Sequence, residues 1–409
     1  MRSVLLFAAV IASLFPYTQI VAIESYVQPY ALILALLVSV YSFPYALKHA
    51  PVWDNFAMVT FATTGTFLFF LSCLPQPSQQ EVKSFLMYVS PLFLYCVGFT
   101  FYRTNEFLFR SVVTCSAIIW LSVGMIQRFL SPSFATHLVG VWSEASEVVV
   151  ASGRGVLSLA PEPTHHGFHL LLLACLLYLL KGRTIYVVSC ILASVLLAGS
   201  ASAVLALLLG ATVLFVIRPI RMFPIFVAAS IVLSTAFMVV LTHFDDSNIR
   251  MRIINLSVAI FENPTSLLEI DYSINSRIGG FLAGLDIIWN DNFFPSGLSN
   301  DYWLQRIPTF LGEYPWLFDL SPAGIPSGIV IILYQMGFLG VPFILYFIYR
   351  FISSGRSIAG VYLLLVAIIV FLGQFLISTP IFGLILGCAV SVLVNNNEMR
   401  FKEALQKSS

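Results

Sequence analysis

Long apolar stretches without a charged residue recur along the whole chain. Most are close to the ~20 residues that a helix needs to cross ~30 Å of hydrocarbon. Charged residues make up only 10% of the 409 residues, whereas a water-soluble domain carries about a quarter. The sequence therefore predicts an all-α polytopic membrane protein and excludes a soluble fold. The stretches cover approximately residues 3–23, 27–47, 56–74, 84–102, 111–127, 166–180, 184–217, 222–242, 326–349, 357–377 and 379–394.

One stretch is too long for a single untilted crossing. Residues 184–217 are flanked by basic residues on both sides, so both ends belong on the same side of the membrane. Two helices that turn near Gly199 and Ser200 satisfy this requirement. The count then becomes twelve transmembrane helices.

The 39 charged residues divide unequally between the two sides of this topology. With Arg2 inside, the inner side holds thirteen basic and four acidic residues, a net charge of +9. The outer side holds seven basic and fifteen acidic residues, a net charge of −8. This agrees with the positive-inside rule and predicts that both termini are cytoplasmic.

Two outer segments are long, and the resulting organisation has six parts. The larger outer loop carries amphipathic patterns, such as Ile278 to Trp289, that predict helices lying on the membrane surface. The predicted parts are N-terminal transmembrane helices (1–127), a first long outer loop (128–165), central transmembrane helices (166–242), a large outer loop (243–325), C-terminal transmembrane helices (326–394) and a cytoplasmic tail (395–409).

No Asp, Glu, Lys or Arg lies within any predicted span. Ion-coupled transporters place ionisable groups at membrane depth, so secondary transport is disfavoured. A flippase that uses surface charges stays open. The chemistry is expected at the outer face.

The first candidate site is the segment from Gly153 to His169. Arg154 carries a permanent charge and can bind two phosphate oxygens; the alternative is a rim arginine that neutralises lipid headgroups. Glu162 stands between two prolines at the start of a span, where partial desolvation would suit a general base. A helix-start acid that complements the macrodipole is an equally good interpretation.

Three histidines follow in the same segment. His165 and His169 share a helix face close to Glu162, which resembles a metal cluster. Catalytic zinc ligands are usually more widely separated, so hydrogen bonding of His165, His166 and His169 to a sugar or phosphate is favoured over metal binding.

The second candidate site lies in the large outer loop. Arg277 is predicted to open the amphipathic helix, where backbone amides favour an anion. Internal salt bridges are the alternative for the loop arginines. The further candidate substrate-binding residues here are Arg250, Arg252, Asp271, Tyr272 and Arg306.

In the order of these features the chain resembles the O-antigen polymerase and ligase superfamily of bacterial membrane glycosyltransferases, a GT-C-like group. The resemblance rests on about twelve spans, a large later outer loop, an arginine followed by Glu162-Pro163 entering a span, and a Ser273-to-Arg277 element before an amphipathic helix. Tyr334-Gln335-Met336-Gly337-Phe338-Leu339-Gly340 is also similar to the superfamily's span after the large loop.

The resemblance implies a metal-independent, inverting transfer of glycan from an undecaprenyl diphosphate carrier at the periplasmic face of the inner membrane. Arg154 and Arg277 would engage the diphosphate, and we assign Glu162 as the base. No cofactor is expected. The partners expected are lipid-linked oligosaccharide donor and acceptor, the bilayer and a chain-length regulator protein, with no nucleic acid.

Ligases of the superfamily carry a histidine near the end of the large loop. Here Ser321 to Gly328 holds none, which favours a polymerase of O-antigen or related surface polysaccharide. An O-antigen ligase acting on lipid A-core, a lipid-linked oligosaccharide flippase or transporter, and a scaffold protein are the alternatives.

Overall fold

Helices are the regular elements of the part of the chain that the structure describes, and no strand occurs there. The predicted all-α class is confirmed at this level. The computed structural model describes residues 2–20, 27–73, 77–139, 149, 155–217, 219, 272–291, 293–314, 317, 325, 327–373 and 379–408.

The helices follow the apolar stretches closely. Two short 3₁₀ turns accompany them, at Thr136–Leu138 and Gly337–Gly340. The α-helices are α1 (Arg2–Leu14), α2 (Tyr30–His49), α3 (Val52–Cys73), α4 (Gln79–Phe129), α5 (Pro163–Leu179), α6 (Thr184–Leu196), α7 (Ala201–Ile217), α8 (Tyr272–Asn290), α9 (Asp301–Glu313), α10 (Gly328–Met336), α11 (Val341–Ser353), α12 (Ile358–Gly373) and α13 (Pro380–Ser408).

Five helical segments of the described chain are long and apolar enough to cross a membrane. They are α2, α3, α4, the continuous segment Gly328–Ser353 formed by α10 and α11, and Pro380–Glu398 of α13. Shorter apolar helices of 10 to 17 residues occupy four other predicted spans. The predicted span 222–242 lies outside the described residues.

The first predicted span is interrupted. Instead of continuing to residue 23, α1 ends at Leu14, and Pro16 follows in a turn. Proline disfavours helical backbone at the residue before it. Thirteen residues rise about 20 Å, so α1 by itself is shorter than the hydrocarbon layer.

Helix α4 is in fact two helices joined at a sharp bend. Asn105 has non-helical φ −156° and ψ 64°, and its side-chain oxygen accepts a hydrogen bond from the Leu108 amide at 3.2 Å. The rings of Phe101 and Phe109 lie 5.1 Å apart, although eight residues of straight helix span about 12 Å. The two predicted spans 84–102 and 111–127 match the two halves.

The long stretch 184–217 also divides as predicted. Helix α6 ends at Leu196 and α7 begins at Ala201, with Gly199 at φ +55° in the turn. The turn is held by a hydrogen bond from the Val156 amide to the Leu197 carbonyl at 2.9 Å. Glycine tolerates this left-handed backbone.

Helices α4, α5 and α13 form the centre of the packing. Helix α5 is buried on nearly all sides from His166 to Leu177, as expected for a helix that is apolar all round. The first half of α4 packs closely on α13, where a Cβ on Gly387 would lie 2.4 Å from the Tyr95 carbonyl oxygen. Small residues permit such an approach.

Residues predicted to be cytoplasmic meet at one end of the bundle. Arg103 pairs with Glu398 at 3.0 Å, and Arg350 pairs with Asp54 at 2.5 Å. These contacts join α4 to α13 and α3 to α11. The membrane topology itself stays a prediction.

Two charged residues at this end lie on these helices just outside the predicted charge-free spans. Asp54 lies in the first turn of α3 and Arg350 in the last turn of α11, because both helices extend beyond the apolar stretches. Each charge is tolerated because it has its partner.

The predicted amphipathic helix is present, and it packs against another helix of the bundle. Helix α8 packs on α10, where a Cβ on Gly284 would meet Val330. The Phe293 carbonyl, nine residues after Gly284, accepts a hydrogen bond from the Phe338 amide at 2.9 Å. Thus α8 runs in the same direction as α10, beside a candidate span.

Candidate functional site

An aromatic and histidine cluster joins the C-terminal ends of α1 and α4 to the N-terminal end of α5, at the end of the bundle that the sequence predicts to be outer. The outer cluster is defined by Tyr17, Trp120, His165, His166 and His169. Trp120 lies 4.3 Å from the His169 ring and 5.9 Å from the His166 ring, measured between centroids. Tyr17 lies 5.7 Å from His165. The predicted histidines are therefore brought together, by neighbours that are distant in sequence.

Glu162 begins the helix that carries these histidines. It is the N-cap of α5 in an extended conformation (φ −143°, ψ 153°), followed by Pro163 at the first helical position. Proline is favoured there because its missing N–H is not needed. The Glu162 side chain is half-buried and makes no capping hydrogen bond to α5, so its carboxylate is not committed to its own helix.

His166 and His169 are enclosed by protein. They are 0% and 2% exposed. One ring nitrogen of His166 lies 3.0 Å from the Val156 carbonyl oxygen, and one of His169 lies 3.0 Å from that of Leu14. The second His166 nitrogen is buried without a hydrogen-bond partner among the described residues. These two rings contact backbone carbonyls. His165 and the nearby Glu162, by contrast, are only half-buried.

Hydrogen bonds to α4 anchor the loop before α5. Gln127 exchanges hydrogen bonds with Ser158, accepting from its amide at 2.6 Å and donating to its carbonyl at 3.0 Å. The Ser158 hydroxyl donates to the Trp120 carbonyl at 2.8 Å. Gly155, at φ +96°, packs directly on the Ala198 carbonyl. Arg154 lies outside the described residues, but the next residue, Gly155, is held by this packing on Ala198.

A second polar cluster lies between α8 and α9. Tyr302 donates a hydrogen bond to Asp291 at 2.9 Å, and this bond raises the pKa of Tyr302. Arg306 lies close enough to act on the same tyrosine electrostatically. Sequence reasoning selected Arg306 but missed Tyr302.

The predicted position of Arg277 needs correction. Helix α8 begins at Tyr272, so Arg277 is its sixth residue and does not open it. The free amides of a helix belong to its first four residues, which removes the argument for an anion at Arg277 from the helix terminus. The side chains of Tyr272 and Arg277 lie outside the described part, as do residues Arg250, Arg252 and Asp271.

The two clusters belong to neighbouring parts of the bundle. Helix α12 packs on α5 and also on α10, and α10 packs on α8.

The segment between α10 and α11 is a break in a candidate span. Gly337 adopts φ +57° and ψ −139°, and the Phe293 carbonyl covers the break through the Phe338 amide. Just before it, Gln335 is fully buried and accepts a 2.6 Å hydrogen bond from the Tyr88 hydroxyl. Its amide nitrogen has no partner among the described residues.

The described residues contain no group of three His, Cys, Asp or Glu side chains able to hold a metal ion. The three histidines of α5 contact backbone carbonyls and aromatic rings.

Comparison with known proteins adds no relative. No family model matches the chain, and no curated protein matches it.

Proposed function

We propose that the protein polymerises undecaprenyl-diphosphate-linked O-antigen, or related polysaccharide, repeat units at the periplasmic face of the bacterial inner membrane. The proposal includes twelve spans with both termini cytoplasmic. It rests on the resemblance of organisation described above. The observation that carries it is Glu162, an uncommitted carboxylate at a helix N-terminus beside a rigid loop that leads directly from Arg154.

The proposed reaction is a single displacement at the anomeric carbon. A hydroxyl of the acceptor sugar attacks this carbon, a new glycosidic C–O bond forms, and the bond from the carbon to the diphosphate oxygen breaks. Glu162 accepts the hydroxyl proton. Arg154 and Arg277 neutralise the charge that develops on the departing undecaprenyl diphosphate. One base suffices for inversion.

The buried histidines have a supporting role in this proposal. His166 and His169 tie the start of α5 to the loop at Val156 and to the end of α1. They would hold Glu162 in place, while His165 and Arg306 remain candidates for sugar contacts. Rigid support of this kind keeps a reacting group within the tolerance that catalysis requires.

The test is reconstitution of the full chain with a purified lipid-linked repeat unit, followed by gel analysis of the products in EDTA. We expect a ladder of polymer from the wild type and a loss of about 100-fold in Glu162→Gln, the scale of general-base catalysis. Glu313→Gln, which changes an exposed acid at the end of α9, is the matched control. A full ladder from Glu162→Gln would remove Glu162 from the mechanism.

A lipid-linked oligosaccharide flippase is the second candidate. The break at Gly337 and the buried Gln335 favour it, because transporters often use discontinuous helices at their substrate sites. Such a protein would move labelled lipid-linked repeat units across the reconstituted membrane and form no polymer. A ligase would instead require lipid A-core as acceptor.

A further inference from the structure

A lateral groove separates α3 from the α10–α11 segment at the end of the bundle that holds the Asp54–Arg350 pair. Its volume is about 630 Å³, within the range of ligand sites. Two walls line the groove. One wall is Trp53, Phe56 and Thr60 on α3, and the other is Leu339, Tyr349 and Arg350.

The groove has the length of one bilayer leaflet. Along α3 its lining runs from Trp53 to Thr64, and along the facing segment from Arg350 to Leu339. Each run covers twelve residues, and its eleven steps of 1.5 Å span about 16 Å, close to half of the ~30 Å hydrocarbon thickness. A single acyl chain that lies in the groove would therefore reach from the charged end to the middle of the membrane.

The walls are apolar, and their rims are exposed. Trp53 is 76% exposed and Tyr349 is 62% exposed. The Thr64 hydroxyl within the groove is satisfied by its own helix, since it donates to the Thr60 carbonyl at 2.8 Å. Aromatic side chains at a helix end are typical of the membrane–water interface.

The charged end supplies a phosphate-binding group. Arg350 lines the groove, and its guanidinium pairs with the fully buried Asp54 through Nε at 2.5 Å. Tyr346 donates to the same Asp54 oxygen at 2.8 Å, and Tyr349 stacks on the guanidinium at 5.3 Å. These contacts fix its orientation. A guanidinium has five N–H donors, so donors remain for a ligand.

We propose that this groove binds one anionic phospholipid, with its phosphate on Arg350 and one acyl chain along α3. The basic bias of this end of the molecule predicts that it faces the cytoplasm, where basic pockets between helices bind anionic headgroups. The site is remote from the outer cluster and independent of the proposed glycosyl transfer.

The test uses the purified full chain in detergent with equimolar phosphatidylglycerol and phosphatidylcholine of identical acyl chains. Native mass spectrometry counts the lipids that stay bound. We expect one tightly held phosphatidylglycerol per chain, preferred about fivefold, the effect of one charge near a basic group. Equal retention of the two lipids would overturn the proposal and indicate an ordinary lipid annulus.

Two variants test the shape of the groove separately from the charge of Arg350. Ala57→Trp fills the groove and should reduce phosphatidylglycerol retention by about tenfold or more through steric exclusion. Thr63→Trp places the same side chain at an exposed position of α3 outside the groove lining and should retain the lipid. Wild-type retention by Ala57→Trp would contradict the site.

Arg350→Lys keeps the charge that Asp54 requires and loses the forked donors. It should weaken the preference for phosphatidylglycerol while the protein stays folded, because one ammonium group must then serve both Asp54 and the lipid phosphate. Arg103→Ala is its control, because Arg103 is also an arginine paired with an acid at this end, but with Glu398 and outside the groove. If Arg350→Lys keeps the full preference, the guanidinium does not bind the phosphate.

Discussion

At the scale of single residues, buried polar side chains determine how the outer ends of the helices are joined. Gln127 is the clearest case, with both ends of its amide committed to backbone groups of Phe134 and Ser158. Trp120 and His169 similarly converge on the Leu14 carbonyl, which becomes available because α1 stops there. Sequence reasoning selected the histidines for their chemistry, whereas their described contacts are with the backbone.

Gln127→Ala should lower the free energy of unfolding by about 2 kcal/mol, because the buried Ser158 amide would lose its partner. Thermal melting in detergent, or protection from proteolysis, measures the change. Ser133→Ala on the same side of the bundle is exposed and should change stability by less than ~0.5 kcal/mol. Equal melting of Gln127→Ala and wild type would show that the loop is not held by this bond.

At the scale of elements, several helices are discontinuous where the sequence predicted continuous spans. The stretch 326–349 became α10, a 3₁₀ turn and α11, because Gly337 adopts a backbone that other residues avoid and Phe293 packs against it. The separation of the spans 84–102 and 111–127 and the turn near Gly199 were predicted from charge and length. The break at Gly337 was not predicted, because no charge interrupts the stretch 326–349, although Pro342 stands at the start of α11.

Gly337→Ala should destabilise the protein by about 2 kcal/mol or more. Its φ and ψ are strained for any L-residue, and the new Cβ would lie 2.3 Å from the Phe293 carbonyl oxygen. Gly312→Ala in α9 is the matched control, because nothing lies within 4 Å of its Cβ position. The control should be neutral or stabilising by about 0.5–1 kcal/mol. Two variants with the same melting temperature would argue against the break.

At the scale of the whole molecule, the two ends differ in charge and in content. One end holds the Arg103–Glu398 and Arg350–Asp54 pairs, and the other holds the outer cluster with Glu162. This division assigns the groove and the proposed transferase chemistry to opposite faces, so each is testable without the other.

The topology itself is tested by single cysteines in a background without the six native ones. Ser133→Cys should react with a membrane-impermeant maleimide added outside intact cells, since it lies at the predicted outer end and is exposed. Asn397→Cys, exposed at the opposite end, should react only after the membrane is opened. Labelling of both from outside would contradict the predicted orientation.

The sequence by itself determined the helical class, the membrane character and most element boundaries. These depend on local properties, since hydrocarbon excludes charge and each apolar stretch must satisfy its own backbone as a helix. Only the tertiary structure decided the partners of buried polar groups. Tyr346 meets Asp54 across 292 positions of sequence, and His169 meets the Leu14 carbonyl across 155. Such contacts depend on which helix ends become neighbours, which no local pattern records.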